Sequence, residues 1–136
     1  MIVLYDFLKE EKIELKCSLC KEQTCMKKMD IIIEPSTLII QLKRYGYDTE
    51  KRTATMIQDE IECSKVLKLA SGSTYTLSSV INHIGETPAQ GHYNTLIFDH
   101  SNDSFVLLDD LDVTYDVQLT SYIRCICYIA VYTKDV

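Results

Sequence analysis

The feature that most constrains this chain is its succession of short apolar runs. Residues 29–33, 37–45, 66–69, 75–84, 93–98, 105–108 and 122–132 are rich in Ile, Leu, Val and aromatic side chains, and polar clusters separate them. Runs of this length and composition predict strands. With only four Gly and two Pro in the chain, the turns between them must come from Asp, Asn, Ser and Thr. Glu34-Pro35-Ser36 reads as a turn, and residues 48–59 and 85–91 read as loops, the second holding Pro88. Residues 5–11 offer one or two helical turns, too short to be stable alone. No internal repeat, low-complexity tract or linker is found, so the expected class is α+β, strand-dominated, on an antiparallel sheet.

Composition bounds the function. The 136 residues make one domain, long enough to bury roughly 68–70% of the surface its unfolded chain exposes. Apolar residues at 46% and charged residues at 25% suit a globular chain. Lys and Arg number 14 against 20 Asp and Glu, a net charge of −6. That balance lacks the electrostatic footprint of a nucleic-acid binder. The longest apolar run, residues 125–132, has eight residues, far short of the ~20 of a membrane-spanning helix. The opening Met1-Ile2-Val3-Leu4-Tyr5-Asp6 has no basic lead-in and does not read as a signal peptide. Six cysteines fall below the density of a disulfide scaffold, so reduced thiols and a cytoplasmic or nuclear setting are expected. Cys125 and Cys127, two apart in a strand-like run, are expected on one sheet face as small core hydrophobes.

The chemistry concentrates in residues 91–110. Tyr93 to Phe98 and Phe105 to Leu108 flank the turn-forming Asp99-His100-Ser101-Asn102. If Phe98 pairs with Asp103, the register sets His92 directly opposite Asp109, within reach of an imidazole–carboxylate hydrogen bond. Such a carboxylate fixes the ring's tautomer and leaves its other nitrogen free to take a proton from a nucleophile. Gly91 suggests that another backbone, a substrate's among the options, approaches closely there. The alternative is that His92 and Asp109 are ordinary polar groups at strand ends.

Leu38-Ile39-Ile40-Gln41-Leu42-Lys43-Arg44-Tyr45 resembles the "LILxLKRF" strand of the ubiquitin-specific proteases, a family of cysteine deubiquitinases. Cys17-Ser18-Leu19-Cys20 lies where that family often carries a zinc-finger CxxC. Residues 75–85, from Tyr75-Thr76-Leu77 to His83-Ile84-Gly85, are similar to its "YxLxxVxxHxG". Gly91-His92-Tyr93 is similar to its catalytic-histidine box, and Leu108-Asp109-Asp110 to the "FDD" segment that carries the triad carboxylate. All five pieces agree in order and spacing.

The resemblance implies a papain-like cysteine peptidase fold, in which a helical thumb brings the nucleophile and a β-rich palm brings His and Asp. Residues 1–136 are then one partial protease domain, with 1–30 a remnant of the fingers and 31–136 the palm. His92 would be the general base and Asp109 its orienter. Asp110 is expected on the opposite side, since the next residue along a strand faces away. Residues 45–58 and 85–91 would flank the ubiquitin tail, and His83 would be structural or line that tail.

The family's nucleophile box, "GNTCYxNS", does not occur in these residues. Alone, the chain is therefore expected not to hydrolyse an isopeptide bond. Structural zinc needs four ligands, and Cys17 and Cys20 supply two. No cofactor is expected unless an upstream CxxC completes a zinc site, with Cys25 a further thiol. The implied partners are ubiquitin or a ubiquitinated protein and a chain supplying the Cys-containing thumb half, with no nucleic acid and no membrane. The alternative function is a non-catalytic ubiquitin-binding or regulatory module, and the bland one an unstable truncation.

Overall fold

The computed structural model describes residues 4, 7–57, 59–117 and 122–135, and of residues 122–125 the backbone alone. It forms two compact units, Met1–Glu34 and Pro35–Val136. Among the described residues helix is confined to Leu4, Phe7 and Leu8, and no helix is long and apolar enough to cross a membrane.

In the first unit, β1 (Glu11–Glu14) and β2 (Thr24–Lys27) pair antiparallel, with Ile13 opposite Cys25. Phe7 and Leu8 are helical as expected, Tyr5 and Asp6 lie outside the described residues, and Glu11 already belongs to a strand. Residues 29–33, expected as a strand, are not one, and Ile32 and Ile33 are exposed. An apolar run becomes a strand only where a neighbour completes its hydrogen-bond ladder, and this run has no paired neighbour among the described residues.

The second unit is built on a seven-stranded antiparallel sheet in the order β11-β10-β9-β8-β13-β3, with β7 also paired to β8. These strands are β3 (Thr37–Gln41), β7 (Val66–Lys68), β8 (Thr74–Thr87), β9 (Gln90–Asp99), β10 (Ser104–Asp109), β11 (Asp112–Val117) and β13 (Cys127–Lys134). Two separate antiparallel pairs belong to the same unit: the hairpin of β4 (Tyr45–Asp48) with β5 (Thr53–Met56), and the long-range pair of β6 (Ile61–Ser64) with β12 (Tyr122–Cys125). The strand-dominated antiparallel class is as expected.

The core lies on one face of the sheet. Val80 sits opposite Leu96 on one side and Ala130 on the other, so side chains from three adjacent strands meet. Tyr75, Leu77, Phe105 and Tyr132 join them in burial. The two buried tyrosines satisfy their hydroxyls on backbone carbonyls, Tyr75 on Pro35 at 2.7 Å and Tyr132 on Ser64 at 3.0 Å. Cys127 is buried as expected, whereas the side chain of Cys125 lies outside the described residues.

Two expected loops contain strand. Residues 48–59 hold the return of a hairpin: Asp48 accepts backbone N–H bonds from Glu50 and Lys51, both at 2.9 Å, and Arg52 takes φ 53°. An Asx turn of this kind reverses the chain without glycine. Buried Arg44 secures its base by donating to the carbonyls of Ile57 (3.0 Å) and Asp59. Residues 85–91 are mostly the end of β8 and the start of β9, and only Pro88 and Ala89 form the turn.

Candidate active site

His92 and Asp109 come from adjacent strands 17 residues apart in sequence, and their side chains are hydrogen-bonded, imidazole Nε2 to carboxylate Oδ1. The register that joins them is not the expected one. The last pair before the turn is Asp99 with Ser104, and the ladder runs to Thr95 with Leu108. The turn is therefore residues 100–103, one later than the sequence suggested. Asp99 causes the displacement. It stays in the strand and caps the turn, accepting from the Ser101 N–H at 2.9 Å and the Asn102 side-chain amide at 2.8 Å. These bonds hold its carboxyl below the ordinary range. Asp103 closes the turn at φ 49°, bound to Lys65 Nζ at 2.9 Å.

Continued by one pair, this register puts Asp109 beside Asn94, and His92 one diagonal step along. The partner of each residue has moved by two positions. Because side chains alternate faces with a period of two, a shift of two keeps both groups on the same face. The pair survives as a diagonal contact, which long side chains can span.

Asp110 departs from expectation. It is not the next residue of an extended strand but turns at φ 51°, a left-handed conformation that Asp tolerates. Its carboxylate thereby lies within 4.8 Å of the ligand-type atoms of His92 and Asp109. The acidic run Asp109-Asp110-Leu111-Asp112, read as a turn rather than a strand end, would have revealed this.

The electrostatics follow from the geometry. Asp109 raises the pKa of His92 above the ordinary histidine value, first by the hydrogen bond and then by its charge, and Asp110 adds a smaller push. Desolvation opposes them. The side chains of His92 and Asp109 are 44% and 38% exposed, so a reacting group can reach the ring. With Nε2 committed to Asp109, Nδ1 is the nitrogen available to it.

The close approach expected at Gly91 is internal. A Cβ there would meet the His83 imidazole, with Cε1 at 2.7 Å, and the Ile84 carbonyl at 2.8 Å. The space is filled by this chain's own atoms, not kept for a substrate backbone. His83 is only 2% exposed, so it does not line a surface groove.

At the CxxC, Cys17 N–H donates to the Glu22 carbonyl at 2.9 Å, and Lys21 turns at φ 62°. The Cys17 sulfur faces the backbone N–H groups of Cys20 and Leu19 and the Cys20 thiol, which lower its pKa. Cys25 instead donates to the Leu15 carbonyl at 3.2 Å. Among the described residues no third Cys, His or carboxylate joins Cys17 and Cys20 in a cluster. The two thiols are half of a tetrahedral set, and the described residues do not by themselves make a zinc site.

Comparison with known proteins adds three findings. The family model described as ubiquitin carboxyl-terminal hydrolase matches residues 4–132. Among curated proteins, the chain is 30% identical over 96 residues to ubiquitin carboxyl-terminal hydrolase 11 of Saccharomyces cerevisiae, covering 71% of this chain and 13% of that protein. It is 30% identical over 104 residues to ubiquitin carboxyl-terminal hydrolase 4 of Arabidopsis thaliana, covering 72% of this chain and 27% of that one. Among solved structures, a chain of the yeast SAGA DUB module superposes with TM-score 0.77 at 23% identity, over 98% of this chain and 32% of that chain. A second, from a SAGA DUB module bound to monoubiquitin, gives TM-score 0.67 at 21% identity, again over 98% and 32%. These structural likenesses establish the fold, an antiparallel sheet of the papain-like palm type.

Proposed function

This chain belongs to the ubiquitin carboxyl-terminal hydrolase family, and we propose that it contributes the base-bearing half of a thiol-dependent deubiquitinase. The observation that carries the reading is the hydrogen bond between His92 Nε2 and Asp109. In the proposed reaction His92 Nδ1 takes the proton of a cysteine thiol as the thiolate attacks the carbonyl carbon of ubiquitin's C-terminal glycine. The imidazolium then returns that proton to the departing amine, leaving a thioester. Water, deprotonated by the same ring, hydrolyses the thioester and regenerates the thiol. Asp109 holds the ring in one tautomer and stabilises its cationic form.

The nucleophile box is not among these residues, so the thiol comes from outside residues 1–136, either from more of the same polypeptide or from a partner chain. Alone, the chain is then inactive, because a base without its nucleophile transfers no acyl group. Its partners are ubiquitin or a ubiquitinated protein and the thumb half. Residues 45–58 flank the ubiquitin tail. Zinc enters only where ligands beyond Cys17 and Cys20 are supplied. The free thiols of Cys17, Cys20 and Cys25 suit the reducing cytoplasm or nucleus.

The test is reconstitution with a family thumb half and a fluorogenic ubiquitin C-terminal substrate. Wild type should turn over and His92→Ala should lose at least ~10³-fold in rate. Equal rates would remove His92 from the mechanism. A second reading, a ubiquitin-binding or regulatory module without catalysis, is favoured by the likeness to a chain of a SAGA DUB module bound to monoubiquitin. It predicts chemical-shift changes when labelled ubiquitin is titrated with the chain, together with no turnover in the reconstituted system.

A further inference from the structure

Beneath the proposed base lies a second imidazole that the mechanism does not use. His83 is only 2% exposed, and its Nδ1 is buried with no hydrogen-bond partner. A buried polar atom left unpaired costs free energy, so what the ring contributes here is its shape. The ring packs tilted against Tyr93, with centroids 4.6 Å apart and planes 57° apart, and lies 6.0 Å from Tyr128. Its edge is turned to the two glycines of the hairpin end. A Cβ on Gly91 would be 2.7 Å from Cε1, and a Cβ on Gly85 would be 3.3 Å from the same atom.

The two glycines also touch each other. A Cβ on Gly85 would fall 2.5 Å from the Gln90 carbonyl oxygen and 2.8 Å from Gly91 Cα. Here the ladder is irregular: Ile84 pairs with His92, and the next pair is Thr87 with Gln90. A bulge of this kind bends the strand and re-aims side chains next to it. The backbone that carries His92 is thus set by a bulge whose inner side is filled by the His83 ring.

We propose that His83 is a positioning residue: its flat imidazole, wedged under Gly91, fixes the backbone from which His92 reaches diagonally to Asp109. The role is one of shape and does not require His83 to carry a proton. It rests on the reading of His92 as the base. A diagonal contact spans a longer gap than a directly opposed one, so a small backbone shift at residue 91 breaks it.

The test reads His92 directly and needs no catalysis. The chain has three histidines, so each imidazole can be assigned and titrated by NMR in the full chain. The groups facing His92 are Asp109 and Asp110, and both stay in every variant. His83→Ala and His83→Leu, which respectively empty the wedge and replace a flat ring with a branched one, should each lower the His92 pKa toward the ordinary value. His83→Phe, flat and without nitrogens, should keep it raised. Leu77→Val, a core truncation away from the bulge, is the control for general loosening and should leave it raised. Wild-type titration of His92 in folded His83→Ala or His83→Leu would overturn the proposal, as would an equal fall in Leu77→Val. If His83→Ala does not fold, the Leu and Phe variants decide alone. A reconstituted enzyme that proves inactive would count against the base assignment and leave this result standing.

Discussion

Two places in the molecule bring reactive side chains together, and they do so in opposite ways. Cys17 and Cys20 meet because they share one turn, whereas His92 and Asp109 meet because two strands pair in one register. The local arrangement is visible in four letters of sequence and yet holds only half of a ligand set. The long-range one supplies both of its partners, and it depends on everything that aligns β9 with β10. A turn motif therefore survives damage elsewhere in the chain, and a register-built pair does not.

The largest effect that tests this contrast is thiol reactivity. Alkylation proceeds through the thiolate, and Cys17 combines an exposed turn with N–H groups that favour its ionised form. Cys127 is fully buried and Cys63 nearly so, so each reacts only when the sheet opens, at a cost of several kcal/mol. Labelling at neutral pH followed by mass spectrometry should modify Cys17 roughly 10³-fold faster than Cys127, given typical domain stabilities. Comparable rates would mean that the sheet is not a cooperative core.

Next in size is Gly85→Ala. The new methyl would meet the Gln90 oxygen at 2.5 Å and Gly91 Cα at 2.8 Å. Both are backbone atoms with no rotamer to escape into, so the hairpin end must spread. The expected loss is about 3 kcal/mol in urea unfolding, the upper range for overpacking, with the raised His92 pKa lost as well. Cys17 labelling should be unchanged, because the turn at 17–20 makes its own hydrogen bonds. A variant as stable as wild type would show that the two strands are not in contact there.

The contrast also explains what could be read in advance. His92 and Asp109 are legible as a pair, although the sequence places the turn one residue early, because face parity tolerates a shift of two. The position of the turn was not legible, since Asp99 is both a strand residue and a cap, and only the fold decides which. Residues 85–91 read as a loop because two glycines and a proline suggest one. In the sheet those glycines mark close packing around His83, a burial that sequence cannot show. Residues 48–59 hid a hairpin, because their polar composition masks pairing that Asp48 and buried Arg44 organise. In contrast, residues 29–33 look like a strand, but nothing among the described residues pairs with them.

The smallest effect, and the one that bears most closely on the chemistry, is that of Asp109→Asn. The substitution keeps the shape of the carboxylate and removes its charge. Asp109 is the main cause of the raised His92 pKa, so titration should move down toward the ordinary value near 6.5. Asp110 keeps a remnant of the shift. The consequence for stability has a definite sign. A histidine whose pKa is higher in the folded state than in the unfolded chain adds stability that is complete below the unfolded pKa. That stability is lost as pH rises through the folded pKa. Wild type and Asp109→Asn should therefore differ most in urea midpoint on the acid side of the His92 titration, and converge above it. The difference should be small and shrink with salt, because both side chains are more than a third exposed and water screens such pairs. If the difference between the two proteins instead grew with rising pH, the bond between His92 and Asp109 would be stabilised by the neutral ring, and the charge-based account of its orientation would fail.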